Sequence, residues 1–340
     1  MKTVVLGAYG YTGQLVSQVL TNLGIRHAVA GKNAIKLNNL GVEDIEVIDI
    51  MNPTNVKDLV RRYDIFVNCI GPFSEWAGVL LEQVVQHQKN YLDLSGESVF
   101  VQTSHAKYHK LAQKNKALIL HACAFESVLA DLMAGRLDLE NIEEINTYYF
   151  MGRAKPSPGT RLTMKLSRFN KAYFYENNTP KKTSEIKQQP VDFKGFTDYV
   201  AIAYPLPEIN FFRWTTQAKT IGSYLLADKA EAKYLLPRDD DPTTKKEVID
   251  AYLARKPKGP TPAQRNRQNY KIILEAKNKQ ETQTIHLKGR DMYKMTAKIV
   301  GFFVQKIKEQ PQKYGVLSPG QFLDSRHNFF DYFDLNLIKH

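Results

Sequence analysis

KTVVLGAYGYTGQLVSQVLTNL, residues 2–23, decides the fold. Lys2–Leu6 is a short apolar run of the kind that forms a buried strand. Glycines then stand at 7, 10 and 13, and Leu15, Val16, Val19, Leu20 and Leu23 repeat at helical spacing. A strand that turns through glycines into a helix presents backbone N–H groups and the positive end of a helix dipole to an anion. Gly7 permits the tight turn, Gly10 lets the backbone approach a diphosphate, and Gly13 lets the helix pack close to the strand. The candidate phosphate-binding set is Gly7, Tyr9, Gly10, Tyr11, Thr12 and Gly13.

The same rhythm continues outward. Strands are expected at Arg26–Ala30, 45–50, Ile65–Ile70, Asn90–Leu94 and Ala117–His121. Between them helices are expected at Asn55–Tyr63 (capped from around Asn52), 77–88 and 98–115. Strands alternating with helices at this spacing imply parallel βαβ units with right-handed crossovers. The fold class is therefore α/β, a Rossmann-type parallel sheet, with a second α+β substrate domain. Three segments are expected: a dinucleotide-binding domain at 1–122, an α+β domain at 123–290, and a C-terminal helix region at 291–340 packing back on the first domain. In the second domain, 143–151, Tyr270–Ala276 and 283–288 read as strands, with a turn at Lys277–Gln280. Thr160–Asn170 and 291–308 read as helices, and 176–190 as a surface loop. An acid cluster, Asp239 to Asp241, precedes a breaker-rich stretch at 256–262.

The end of the second strand bears on the cofactor. An acid there commonly holds the ribose hydroxyls of NAD. Here the strand runs into Gly31-Lys32-Asn33, with no acid before Glu43. Lys32 can pair with a 2′-phosphate and Asn33 can donate to it, so NADP(H) is favoured; the alternative is a solvated lysine in a turn. Asp49, ending the third strand, is placed to meet the adenine amino group, or serves as a helix-approach residue. Gly71, Pro72 and Phe73 end the fourth strand, where open α/β sheets bind ligands, and the nicotinamide ribose would pass over them.

Composition narrows the class. The 340 residues carry a net charge of +12, with 43% hydrophobic and 24% charged residues, an ordinary globular make-up. Residues 1–150 hold 13 basic against 16 acidic side chains, and the remainder 34 against 19. A basic second half suits an anionic substrate, or is a solvated surface. The apolar runs are too short for a membrane span. MKTVVL opens like a secretory start, but the glycines that follow make it a first strand. Cys69 and Cys123 sit in apolar segments without metal-type spacing, as free thiols of a reducing, cytoplasmic compartment would. Histidine spacing supports no catalytic metal, and His121 reads as a core residue. Tyr252 and Lys256 match a Tyr-x-x-x-Lys spacing far from any sheet edge, and chance explains them. The basic segment 265–271 lacks a recognition module, so nucleic acid is disfavoured.

GAYGYTG at 7–13, AGKN at 30–33, NCIGPF at 68–73, YLDLSGE at 91–97, ACAFESVLAD at 122–131 and SPGT at 157–160 together resemble the saccharopine dehydrogenase-like oxidoreductases. Within that group GPTPAQR at 259–265 and GVLSPGQ at 315–321 look most like the trans-acting enoyl reductases. The resemblance implies an NADP-binding Rossmann domain, an inserted substrate domain and hydride transfer. It implies that Gly7, Gly10, Thr12 and Gly13 hold the diphosphate, with Lys32 where the family often has arginine. The family's usual glycine, aspartate and proline are replaced here by Ala124, Glu126 and Leu129.

Hydride transfer needs a positioned carbon and a proton donor or electrostatic stabiliser. Asp93 and Glu97 flank the turn after YLDL and are the candidate acids; Glu97 could instead cap the helix from Ser98. Ser157, Thr160 and Arg161 form a loop ending in a helix start, with Arg161 the candidate anion partner and plain N-capping the alternative. The expected reaction is NADP(H)-dependent reduction of a conjugated C=C in an enoyl thioester-like substrate. Its rivals are an imine-reducing dehydrogenase of the saccharopine or carboxynorspermidine kind, and a non-catalytic NADP(H)-sensing protein. Expected partners are a small-molecule or thioester substrate of anionic character, with a homodimer allowed.

Overall fold

The structure, a computed structural model, describes all residues except 153–154, 167–172, 184–187, 231, 233–242, 255–258, 310–312 and 324–326. The chain forms two compact units. Met1–Phe125 with Tyr293–Phe322 make the first; Glu126–Met292 with Leu323–His340 make the second.

In the first unit, β1 (Thr3–Leu6) leads to α1 (Tyr11–Asn22), β2 (His27–Gly31), a short α2 (Ala34–Asn38) and β3 (Ile45–Val47). There follow α3 (Pro53–Arg62), β4 (Ile65–Asn68), α4 (Phe73–Trp76), α5 (Gly78–Gln86), β5 (Asn90–Asp93), α6 (Ser98–Asn115) and β6 (Leu118–Leu120); α7 (Phe125–Ala134) belongs, past its first residue, to the second unit. Every residue of β1, β2, β4, β5 and β6 is buried, as strands covered on both faces require. Asn52 caps α3 by accepting from the N–H groups of Thr54 and Asn55, with Pro53 in the first turn where its missing N–H costs nothing. All six pairings of the sheet are parallel, in the order β15 (Gly315–Leu317)-β6-β5-β4-β1-β2-β3. The order reverses at β1, so the loops after β1 and β4 flank the crevice where such sheets take ligands.

The seventh strand, β15 (Gly315–Leu317), is too short to announce itself in the sequence. It adds beside β6, and the His109 ring on α6 donates from Nδ1 to the Val316 carbonyl over 2.9 Å. The long helix Met292–Glu309 supplies Tyr293, whose ring meets Tyr11 edge-on at 5.0 Å, and Thr296, whose hydroxyl accepts from the Phe125 N–H.

The second unit is a mixed sheet. Its strands are β7 (Glu144–Phe150), β8 (Tyr173–Glu176), β9 (Thr179–Lys182), β10 (Gln189–Pro190), β11 (Tyr199–Ala203), β12 (Thr220–Asp228), β13 (Asn269–Lys277), β14 (Thr282–Arg290) and β16 (Leu337–Lys339). The main path runs β10-β11-β12-β7-β13-β14-β16, with only β12 and β7 parallel. Helices α8 (Pro158–Leu166) and α9 (Glu208–Thr215) belong to this unit. The polar stretch read as a loop from 176 is in part a hairpin: β8 pairs with β9 through Asn177 and Asn178, both at positive φ. Asparagine tolerates that conformation, so a polar tetrad made the turn and hid the strands. The acid cluster at 239–241, Lys256 and the end of the expected helix at 167–170 lie outside the described residues. Among the described residues no helix is long and apolar enough to cross a membrane.

Candidate dinucleotide-binding site

Gly7 takes φ +70° and its N–H donates to the Ala30 carbonyl, which fixes the turn against β2. The Gly10 N–H returns to the Gly7 carbonyl at 2.8 Å, and the Gln14 N–H to the Gly10 carbonyl at 3.0 Å. Gly10 is the N-cap of α1 and offers no side-chain oxygen, so the amides of the first turn point outward without a built-in acceptor from the cap. A Cβ on Gly13 would stand 2.3 Å from the Gly7 carbonyl oxygen. The turn closes only because nothing is there. Tyr9 lays its ring over Gly31, where a Cβ would come within 2.6 Å of it.

Around the end of β2 the charges gather. The Lys32 ammonium lies 3.0 Å from Asp49, both well exposed. The N–H of Met51, with Lys32 beside it, holds the Asp49 carboxyl below its usual range. Asn33 caps α2 by accepting from the Lys36 N–H through Oδ1, which leaves its amide nitrogen as the donor end. Lys36, which the sequence reading did not single out, projects over the Tyr9 ring at 5.3 Å. It lies three residues past the cap at Asn33, on the first turn of α2. Ile35 and Met51 are large apolar side chains left exposed at this same edge.

At the β4 end, Gly71-Pro72 is a cis peptide and Phe73 opens α4. Glu97 occupies the N-cap position of α6, yet its carboxylate caps another helix. It accepts from the N–H groups of Phe73 (2.7 Å) and Ser74 (3.1 Å). Asp93 is fully buried. Its carboxylate accepts from the Ser95 N–H (3.1 Å), the Ala122 N–H (2.9 Å) and His121 Nδ1 (2.6 Å), while His121 Nε2 meets the Ser104 hydroxyl at 2.7 Å. Asp93 and Glu97 thus spend their oxygens on the protein's own donors, shaping the loops of the sheet edge. His121 is the core histidine expected of it.

The second unit, taken by itself, has Ser157 as the N-cap of α8: its hydroxyl accepts from the Thr160 N–H at 3.2 Å. Arg161 is half-buried on the first turn of that helix. The group that sequence reading missed is Glu126. Burial and the neighbouring Glu208 carboxylate push its carboxyl up to about 7. Glu208 is buried too, but the hydroxyls of Ser127 (3.0 Å) and Ser223 (2.7 Å) donate to it. Among the described residues no group of three or more metal-ligating side chains forms.

Residues 3–121 match the family described as saccharopine dehydrogenase NADP binding domain. Over this third of its length the chain is similar to the NADP-binding domain of that family. NADP(H) is its cofactor, and the residues fit an anionic dinucleotide: a glycine cradle that a Cβ would fill, and an exposed lysine at the end of β2. Curated relatives match over part of the chain. A mouse saccharopine dehydrogenase-like oxidoreductase is 28% identical over 151 residues, 38% of this chain and 35% of its own length. A Mycobacterium tuberculosis protein named as a trans-acting enoyl reductase is 30% identical over 141 residues, 38% of this chain and 33% of its own. The match spans about a third of the length of these relatives. Apo saccharopine dehydrogenase (L-Glu forming) of Saccharomyces cerevisiae shares the fold over 100% of this chain and 99% of its own, with a TM-score of 0.64 and 12% identity.

Proposed function

We propose that the protein is an NADP(H)-dependent oxidoreductase that reduces a C=C bond conjugated to a carbonyl in an anionic, thioester-type substrate, in the cytoplasm. The observation that carries this reading is the glycine-closed turn at the crevice of a parallel sheet, with Lys32 and Lys36 at the adenosine end. The nicotinamide, when bound, supplies the hydride. This chain's residues hold the diphosphate at Gly10–Gly13, the 2′-phosphate at Lys32, and the ribose over Gly71–Phe73. The basic second half favours an anionic substrate. The name of the mycobacterial relative supports the enoyl class.

The test follows NADPH oxidation with a crotonyl-type thioester and, separately, with a keto acid plus an amine. Turnover of the thioester supports the proposal; turnover of the amine mixture alone replaces it with imine reduction. Tight NADPH binding without turnover across both would make the protein a sensor. For cofactor choice, Lys32→Ala is expected to weaken NADPH binding roughly tenfold while leaving NADH binding unchanged, as losing one exposed charge-assisted contact should. Equal loss for both dinucleotides would remove Lys32 from the 2′-phosphate site.

Glu126 gives a pH-dependent test of the second unit, because burial and the neighbouring Glu208 carboxylate push its carboxyl up to about 7. Its folded pKa lies above its unfolded value, so its contribution to stability is whole below about 4.5 and declines as pH rises to about 7. Glu126→Gln is therefore expected to be more stable than the parent above pH 7 by about 1–2 kcal/mol, allowing for partial solvent access. The gap should close near pH 4.5. Urea melts across that range check this, and identical profiles would show that Glu126 ionises freely.

A further inference from the structure

The second unit's sheet carries a cleft of about 630 Å³ on one face of β13 and β14, walled by the segment Asp192–Phe196 and bordered by β16. That volume lies within the range of small-molecule sites. On this face three rungs of the antiparallel pair stand in register: Lys271 opposite Lys288, Ile273 opposite His286, and Glu275 opposite Thr284. Like charges placed directly across a strand pair destabilise the sheet. Among the described residues neither Lys271 nor Lys288 makes an ion pair, although Glu275 stands on the same face. The Glu275 carboxylate is engaged by Lys277 at 2.9 Å instead. Lys194 adds a third ammonium to the lining.

The rest of the cleft is apolar. Phe193 packs edge-on against both Tyr148 (4.9 Å) and His286 (6.2 Å), and Phe196 lies 4.7 Å beneath the Lys271 ammonium. Ile273 is buried in the floor. Burial, His340, Lys271 and Lys288 all hold the His286 imidazole below its usual range, so a positive field is focused where the side chains converge. A second copy of this chain would bring the same lysines to the same place and be repelled. The charge is complementary to an anion, and the aromatic wall to a hydrocarbon.

We propose that this cleft binds an amphiphile with a compact anionic head, held between Lys271 and Lys288, and a hydrocarbon body lying along Phe193, Phe196 and Ile273. The opposed lysines are kept at a cost to the empty fold because the ligand's charge separates them. This binding does not depend on the dinucleotide or on the reductase reading.

Titrating the full chain with 11-(dansylamino)undecanoic acid tests it. Saturable binding is expected, weakened about tenfold or more in the Lys271→Ala, Lys288→Ala double variant, as loss of two charge-assisted contacts requires. Dodecanoate and dodecyl phosphate should displace the fluorescent acid, the better competitor naming the head group, and dodecanol should not. Without ligand, the double variant should melt about 1–3 °C higher than the parent, since relief of one cross-strand repulsion is a small gain. That melt also establishes that the variant is folded. Failure to bind, unchanged affinity in the double variant, or displacement by dodecanol as good as by dodecanoate would overturn the anionic head. Displacement by inorganic phosphate as effective as by dodecyl phosphate would overturn the hydrocarbon body.

Discussion

Asp93→Ala is expected to lower folding stability by about 3–5 kcal/mol, the cost of removing one partner of a fully buried charged network. The side chain has no solvent contact. Its loss strands the His121 Nδ1 proton and the N–H groups of Ser95 and Ala122 in a dry interior. Ala122 suffers doubly, because it is a non-glycine residue at φ +54° whose N–H is held in place by this carboxylate. The buried Tyr91 hydroxyl, itself pushed well above its ordinary range by burial and by Asp93, loses a neighbour as well. Asp93→Asn keeps the shape and two acceptor positions at Oδ1, and should recover about half of the stability. Urea melts of both variants give the comparison. A reacting group would behave in the opposite way: the asparagine variant would melt like the parent and lose kcat. The expected result is a large stability loss with kcat retained by the folded fraction, which assigns Asp93 to positioning the sheet edge.

Asp93 and Glu97 also mark where the sequence stopped being readable. Their place at a strand end on the ligand edge followed from spacing, because strand and helix periods fix which end of the sheet a residue reaches. What their carboxylates touch did not. Glu97 reaches Phe73 and Ser74 across 24 and 23 positions, and no local pattern encodes a bond of that span. The parallel sheet was legible because β1, β2, β4 and β5 have apolar centres and their helices keep a 3.6-residue period. Elements that lean on neighbours were not. α2 and α4 have five and four residues, too few for a period, and β15 has three. Glu126 stood out in the sequence only as a substitution; its raised pKa comes first from burial and then from Glu208, 82 positions away, and the fold alone supplies both. Lys36 was within reach of the sequence, on the same helical face as the cap at Asn33, but only the position of the Tyr9 ring shows which way that face turns.

Gly13→Ala is expected to abolish useful NADPH binding, weakening it about 100-fold or more, the equivalent of roughly 3 kcal/mol. The added methyl would sit 2.3 Å from the Gly7 carbonyl oxygen and 3.0 Å from the Ala8 Cα. Both are backbone atoms, so no rotamer change relieves the clash, and α1 must move away from β1. That displacement carries the first-turn amides off the position proposed for the diphosphate, which they would otherwise bind. Gly7 cannot follow, because its own Cβ position is closed by Ile70 at 2.7 Å and its N–H is tied to Ala30. Gly24 supplies the control. It too has positive φ, yet no atom lies within 4 Å of its Cβ position, so Gly24→Ala should cost about 1 kcal/mol of stability and leave binding intact. Fluorescence titration with NADPH beside a thermal melt separates the two effects. If Gly13→Ala bound NADPH as the parent does, the amides of this turn would not be what grips the diphosphate, and the site would have to be sought elsewhere on the sheet edge.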